Sequence, residues 1–372
     1  MQIPAAFSPP PRLLLGPGPS DVAPSVLRAM AQPLVGHLDP VFVKLMEEIK
    51  TMLREVFQTK NEMTFPVSGT GSAGMEFCCA NLIEPGDEVI IGVNGVFGTR
   101  MGDVAERCGA RVTKVESAWG TIITPQQIAD ALKKVSQPKF VALVHAETST
   151  GALTPVEEIS QLAHDAGALF LLDTVTSLAG CPVRIDAWNV DAVYSGTQKC
   201  LSAPPGLSPV SLSPRAMEVA AKRKTKVQSW YLDVNLLSSY WGQERVYHHT
   251  APITMNYGLH EALRLVLTEG LENRWARHEE NYFLLKKGLA ELGLEIVSQA
   301  GHQLWQLNAV GVPAGVDELS VRRQLLADYN IEIGAGLGPL KGKIWRIGLM
   351  GAGSTKENVA TVLNALRQIL KK

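Results

Sequence analysis

The sequence has no apolar run that reaches the roughly 20 residues needed to cross a bilayer. Its opening, MQIPAAFSPPPRLLLGPGPS, lacks the basic start and sustained apolar core of a secretory signal. It also lacks a charge surplus. The 35 Lys and Arg residues balance 36 Asp and Glu, leaving a formal net charge of −1, and no long basic run interrupts that balance. Neither a nucleic acid nor a membrane is therefore an expected partner. Cysteine is sparse: Cys78, Cys79, Cys108, Cys181 and Cys200 form an odd set without C-x-x-C spacing. That argues against structural metal and against a disulfide framework. His248 and His249 are adjacent rather than at the i, i+4 spacing of a helical metal pair, so no metal site is expected. The ending ILKK is not a peroxisomal S-K-L signal, and the expectation is a cytoplasmic protein.

What the chain has in quantity is apolar residues. They make up 46% of 372 positions against 19% charged, the composition of a well-packed globular chain with room for more than one domain. There is no internal repeat or low-complexity tract. Residues 9–24 are rich in Pro and Gly and read as an irregular arm. Residues 39–57 have helical spacing, with Phe42, Leu45, Met46, Ile49 and Leu53 on one side. Short apolar runs then alternate with helical patterns. Strands are predicted at 88–93, 111–115, 140–145, 169–173, 192–194 and 208–212, and helices at 72–83, 98–108, 125–135 and 156–166. Such alternation predicts an α/β fold whose mostly parallel sheet lies between helices, with the ligand beyond the carboxyl ends of the strands. Two more long helices are predicted at 252–270 and 273–292, and shorter elements from about residue 295 make a second, smaller α/β domain. The division reads 1–20 arm, 21–275 large domain and 276–372 small domain.

Several stretches carry chemistry. In YSGTQKCLSAPPG (194–206), Lys199 stands among small uncharged neighbours, and the following Pro204, Pro205 and Gly206 break regular structure. Desolvation of a lysine lowers its ammonium pKa, which suits Schiff-base chemistry. Gly69-Thr70-Gly71-Ser72-Ala73-Gly74 is a literal G-x-G-x-x-G. As a dinucleotide fingerprint it fails, because MTFPV before it is short and holds Pro66, and Asp87 and Glu88 precede rather than follow the next strand. A glycine-rich helix start can still cradle a single phosphate. Asp173 ends the buried-looking run LFLLD, as either a helix cap or a carboxylate facing a cationic ring nitrogen. Glu147, Thr148 and Ser149 follow another strand and either line a site or form a turn. Tyr247 and Thr250 offer hydroxyls to an anion. Arg346 lies within the apolar run KIWRIGLMG, where a bidentate fork serves a substrate carboxylate or a structural ion pair. Phosphate cradle, strand-end Asp, a Lys 26 residues later and a late Arg together fit pyridoxal phosphate.

The motifs LLLGPGPS, SGTGSAGMEF, LIEPGDEVIIGVNGVFG, HAETSTGAL, LLDTVTSLAG, YSGTQKCLSAPPG, YHHTAP, GLENRW and IEIGAGLGPLKGKIWRIGLMG span nearly the whole chain. In them the sequence resembles the class V aminotransferases of the fold-type I pyridoxal-phosphate enzymes, on the alanine–glyoxylate and serine–pyruvate branch. The resemblance implies a mostly parallel seven-stranded sheet between helices, with a smaller C-terminal α/β domain. It also implies a homodimer with shared active sites and a ping-pong amino transfer between a small L-amino acid and a 2-oxo acid. Lys199 would hold the cofactor as an internal aldimine, and Asp173 would pair with its ring nitrogen. Thr70, Gly71, Ser72 and Gln198 would contact the phosphate, joined by Tyr247 and Thr250 of the partner subunit. Thr148 would sit near the ring hydroxyl, Arg346 would grip the substrate carboxylate, and Gly18 would lie against the substrate. Phe97 would stack on the ring where the family's liver member has tryptophan, and Ser72 stands where that member has histidine. Serine–glyoxylate and pyridoxamine–pyruvate transfer are the alternatives within the family. A cysteine desulfurase-type lyase needs a late cysteine, and none follows Cys200. No second arginine for a substrate side-chain carboxylate is evident, which favours small donors.

Overall fold

A computed structural model describes every residue except Gln2 and Lys372. Its centre is a seven-stranded sheet in the order Met63–Ser68, Leu207–Leu212, Ala192–Tyr194, Leu169–Asp173, Pro138–Val144, Glu88–Val93 and Arg111–Glu116. Only Leu207–Leu212 runs antiparallel to its neighbours. The others run parallel, as the alternation of apolar runs with helical patterns implies.

The inner strands read as continuous apolar runs because both faces of the sheet are covered. Successive side chains point to opposite faces. Ile90, Val141, Leu143, Phe170 and Leu172 pack into one core with Leu53 and Phe57 of the helix Pro40–Phe57 and with Ile128 and Ile159. Val89, Ile91, Phe140, Leu169 and Leu171 pack into the other with Met75, Phe77 and Cys78 of the helix Gly71–Leu82 and Val104 of Val96–Arg107. Phe170 is fully buried, and truncating it to Ala would cost about 3–5 kcal/mol.

The helix Pro40–Phe57 starts where the sequence places it. Asp39 accepts a hydrogen bond from the Val41 N–H at 2.8 Å, Pro40 occupies the first position, and Gln58 ends it in the left-handed region at φ 52°. The later long helices run Ile253–Glu269 and Leu271–Glu291. Beyond them lies a three-stranded antiparallel sheet, with Ile344–Gly348 between Leu307–Gly311 and Gly334–Ala335. Trp345 and Ile347 face its core with Leu285, Leu289, Val359 and Leu366.

Two expectations need correction. Residues 63–68 form a full six-residue strand despite Pro66. The strand lies at the sheet edge, where a residue without an N–H is tolerated. Its antiparallel pairing with Leu207–Leu212 still removes the parallel strand–helix–strand setting that a dinucleotide fingerprint needs. The arm, in turn, is not irregular throughout. Leu13–Leu14 pairs in parallel with Ile331–Glu332, Leu15 is buried in the C-terminal core, and the Leu15 carbonyl accepts from the Gly348 N–H at 2.8 Å. The arm thereby tethers Pro17 and Gly18 over the strand ends. The short helices Pro24–Met30, Pro214–Ala221 and Val234–Trp241 were not anticipated from the sequence. No helix among the described residues is long and apolar enough to cross a membrane.

Candidate active site

At the carboxyl ends of the strands a cleft of about 90 Å³ opens, in the place where an α/β sheet of this kind takes its ligand. Thr70, Gly71, Ser72, Phe97, Thr148, Asp173, Gln198 and Lys199, all singled out in the sequence, line it together.

One wall is the start of the helix Gly71–Leu82. Thr70 is its N-cap in extended conformation but makes no side-chain cap, and the N–H groups of Gly71 and Ser72 have no partner among the described residues. Open donors at the positive end of a helix dipole form a place for an anion. The Gln198 Oε1 atom is buried without a hydrogen-bond partner on the same wall.

Asp173 ends its strand at 3% exposure. The parallel neighbour sets Tyr194 in register beside it, and the Tyr194 hydroxyl donates to Oδ2 at 2.6 Å while the Val175 N–H donates to Oδ1 at 2.8 Å. Burial pushes the carboxyl up to about 6, against the two hydrogen bonds that favour its ionised form. Asp173 caps no helix, and the two donors hold its carboxyl in place at the strand end.

Lys199 lies in the turn after Ala192–Tyr194 and is 8% exposed. Burial, with the nearby Arg346 cation second, lowers its ammonium to about 8. Nζ donates to the Pro17 carbonyl of the arm, and the Ser20 hydroxyl donates to the Lys199 carbonyl at 2.7 Å. Gly18 takes φ 101° and packs so closely on Lys199 that a Cβ would strike Nζ, Cε and Cδ.

Arg346 alternates with the inward Trp345 and Ile347, and so faces away from the C-terminal core. Gly334, opposite it in register, leaves room for its stem. Its Nε donates to the Ala335 carbonyl at 2.7 Å and Nη1 to the Thr148 carbonyl at 3.2 Å. Among the described residues no carboxylate pairs with Arg346, and Nη2 makes no hydrogen bond. Burial lowers the guanidinium to about 10, opposed by the charge of Glu147. A buried cation with an open donor is a ready partner for an incoming carboxylate.

Glu147 is fully buried and is not a turn residue only. Oε1 accepts from the Ser149 N–H at 3.0 Å and Ser149 Oγ at 2.6 Å, while Oε2 accepts from the N–H groups of Phe97 at 3.1 Å and Gly98 at 3.4 Å. It thus anchors the helix start that carries the Phe97 ring to the cleft. Burial raises its carboxyl, opposed by those four hydrogen bonds. Thr148 Oγ1 lies 2.8 Å from Thr176 Oγ1.

The sequence reading missed Tyr194, Glu147's anchoring role and Arg100. Tyr194 had a signal, since its strand neighbours the one ending at Asp173. Arg100 had none, because its place in the cleft depends on how the helix Val96–Arg107 packs. Tyr247 and Thr250 do not line the cleft; they are exposed beyond the helix Val234–Trp241. No group of three or more His, Cys, Asp or Glu side chains able to hold a metal occurs among the described residues.

This donor set has the chemistry for pyridoxal phosphate. Open N–H groups could take a phosphate, a buried carboxylate a protonated ring nitrogen, and a lysine of lowered pKa an aldehyde. Comparison with known proteins agrees. The family model described as Aminotransferase class-V matches residues 14–361. The chain is 51% identical to the crystal structure of an alanine–glyoxylate aminotransferase from Nostoc sp., at a TM-score of 0.97 with 100% of this chain and 98% of that one covered. It is 43% identical to the (S)-ureidoglycine–glyoxylate transaminase of Bacillus subtilis, over 96% of this chain and 90% of that protein. It is also 43% identical to the alanine–glyoxylate aminotransferase of Rattus norvegicus, over 97% and 88%. With cleft, sheet topology and family model in agreement, the chain belongs to the class V aminotransferases, pyridoxal-phosphate-dependent enzymes of fold-type I.

Proposed function

We propose that this aminotransferase moves an amino group from a small L-amino acid, alanine or serine, to glyoxylate or pyruvate, in two half-reactions that use one site. The observation that carries this reading is Arg346, a buried guanidinium with an open Nη2 and no acid partner. Its fork suits the carboxylate that every amino acid and 2-oxo acid shares.

When bound, the cofactor supplies an electron sink for the carbanion left when the substrate Cα loses its proton. Lys199 would hold the cofactor's aldehyde through Nζ and, as a free amine, would serve as the base that moves the substrate's Cα proton. A pKa of about 8 leaves enough free amine at neutral pH for both tasks. Asp173 would face the ring nitrogen and favour its protonated form. Thr70, Gly71, Ser72 and Gln198 would hold the phosphate, Phe97 would cover one ring face and Thr148 would lie beside the ring hydroxyl. Gly18 bounds the substrate side. Tyr247 and Thr250 reach the phosphate from the partner subunit of a homodimer, in keeping with their exposure in one chain. The arm is 1–20, the cofactor domain 21–275 and the small domain 276–372.

The rat and Nostoc relatives support alanine and glyoxylate, while the Bacillus subtilis relative supports (S)-ureidoglycine as a second donor at the same 43% identity as the rat protein. A panel of alanine, serine, (S)-ureidoglycine and glutamate with glyoxylate as acceptor separates these readings. Alanine or serine is expected to exceed glutamate in kcat/KM by about 100-fold, the effect of one missing charged contact. Preference for (S)-ureidoglycine would replace the donor assignment, and preference for glutamate would refute the small-donor argument.

A further inference from the structure

We propose that Arg100 is the charge partner of the cofactor's phosphate, an inference that rests on reading the cleft as the pyridoxal-phosphate site. A phosphate monoester carries a charge of about −1.5 to −2 at neutral pH. The side chains assigned to it above, Thr70, Ser72 and Gln198, are uncharged. The helix start contributes about half a positive charge. Neither buried carboxyl, Asp173 or Glu147, can offset the phosphate charge. Cradle and helix together leave most of the phosphate charge unmatched.

Lys199 and Arg100 line the cleft, and a third cation, Arg346, lies against its Thr148 wall. Lys199 is turned to the Pro17 carbonyl, and Arg346 is bonded to the Ala335 and Thr148 carbonyls. That leaves Arg100. It lines the cleft, and its Nη1 donates to Ser72 Oγ at 3.2 Å, on the second residue of the helix whose N–H groups are open. Its Cζ lies 4.9 Å from the centroid of the Phe97 ring. Among the described residues Arg100 has no carboxylate partner.

The helix explains the placement. Phe97 and Arg100 are three residues apart in Val96–Arg107 and share one face, so ring and guanidinium are delivered to the cleft as a unit. Glu147 holds that helix start through the Phe97 and Gly98 N–H groups. The contact between the guanidinium and the ring restrains Arg100, and the remaining donors of its fork match phosphate oxygens. The side chain itself is exposed, so replacing it does not empty the core.

The test is a titration of the apoenzyme with pyridoxal phosphate and, separately, with pyridoxal, followed by absorbance and by protein fluorescence. Wild type, Arg100→Met and Arg100→Lys are compared. Loss of a charge-assisted hydrogen bond predicts pyridoxal-phosphate binding weakened about 10- to 100-fold in R100M. Pyridoxal binding should stay within about twofold, since that ligand lacks the group Arg100 serves, and R100K should recover part of the loss. Unchanged pyridoxal binding also shows that the variant is folded. An equal loss for both ligands would overturn the proposal in favour of a role through Phe97 alone. No loss for either would overturn it outright. Intact cofactor binding with a selectively raised KM for an acidic donor would overturn it by giving Arg100 to a substrate side chain. A wild-type apoenzyme that binds neither ligand would instead refute the reading of the cleft.

Discussion

Replacing Lys199 by methionine should make the apoprotein more stable at pH 7 and abolish its activity. Lys199 is 8% exposed, and its pKa falls from 10.5 to about 8, chiefly through burial. A fall to about 8 corresponds to about 3 kcal/mol of native-state destabilisation. Below pH 8 the lysine is protonated in both states and that penalty is present in full. Between 8 and 10.5 the unfolded chain holds the proton that the native state has released, so wild-type stability climbs with pH and the penalty disappears. Methionine has a similar length and no charge, but it leaves the Pro17 carbonyl without its donor, at about 1 kcal/mol. The net expectation is a variant more stable by about 2 kcal/mol at pH 7, with the advantage lost by about pH 10.5. Urea unfolding of both apoproteins at pH 7 and 10.5, followed by tryptophan fluorescence, measures the difference directly. A variant less stable at pH 7, or a gap that does not change with pH, would refute the burial argument. The same shift leaves about one lysine in ten as free amine at pH 7, against about one in 3,000 at the ordinary value.

Other perturbations probe the surrounding groups. Tyr194→Phe removes the 2.6 Å donor that favours ionised Asp173, so the Asp173 pKa rises further and the acid limb of the kcat/KM profile moves toward neutral pH. An acid limb that does not move would separate Asp173 from catalysis. Gly18→Ala places a Cβ against the Lys199 side chain at φ 101°, and should cost about 1–3 kcal/mol in strain and most of the activity; a fully active variant would show that the arm does not press on Lys199. Glu147→Gln offers one acceptor oxygen where four donors converge, and should lower Tm by an amount matching about 1–3 kcal/mol while weakening cofactor binding. Normal binding in that variant would separate Phe97's position from Glu147.

Much of this arrangement is written locally in the chain. Strands such as Leu169–Asp173 and Glu88–Val93 are legible to the residue because a strand buried on both faces is a continuous apolar run bounded by turns. Lys199 and Asp173 stand out for the opposite reason, as charges where a buried run meets a turn. Features set by distant contacts were not legible. Residues 63–68 form a strand although Pro66 argues against one, because its position at the sheet edge is a property of the topology. Leu13–Leu14 pairs with Ile331–Glu332 more than 300 residues away, and nothing near the arm announces it. The Tyr194 hydroxyl and the Arg100 guanidinium depend on strand register and helix packing respectively, so residue type alone could not assign them.

We assign the cofactor in this cleft to Lys199. Borohydride reduction of the holoenzyme followed by peptide mass mapping tests it most directly. The phosphopyridoxyl group is expected on the peptide containing Lys199, and on no other lysine peptide. A group found on a different lysine, or no covalent attachment in a protein saturated with pyridoxal phosphate, would contradict it.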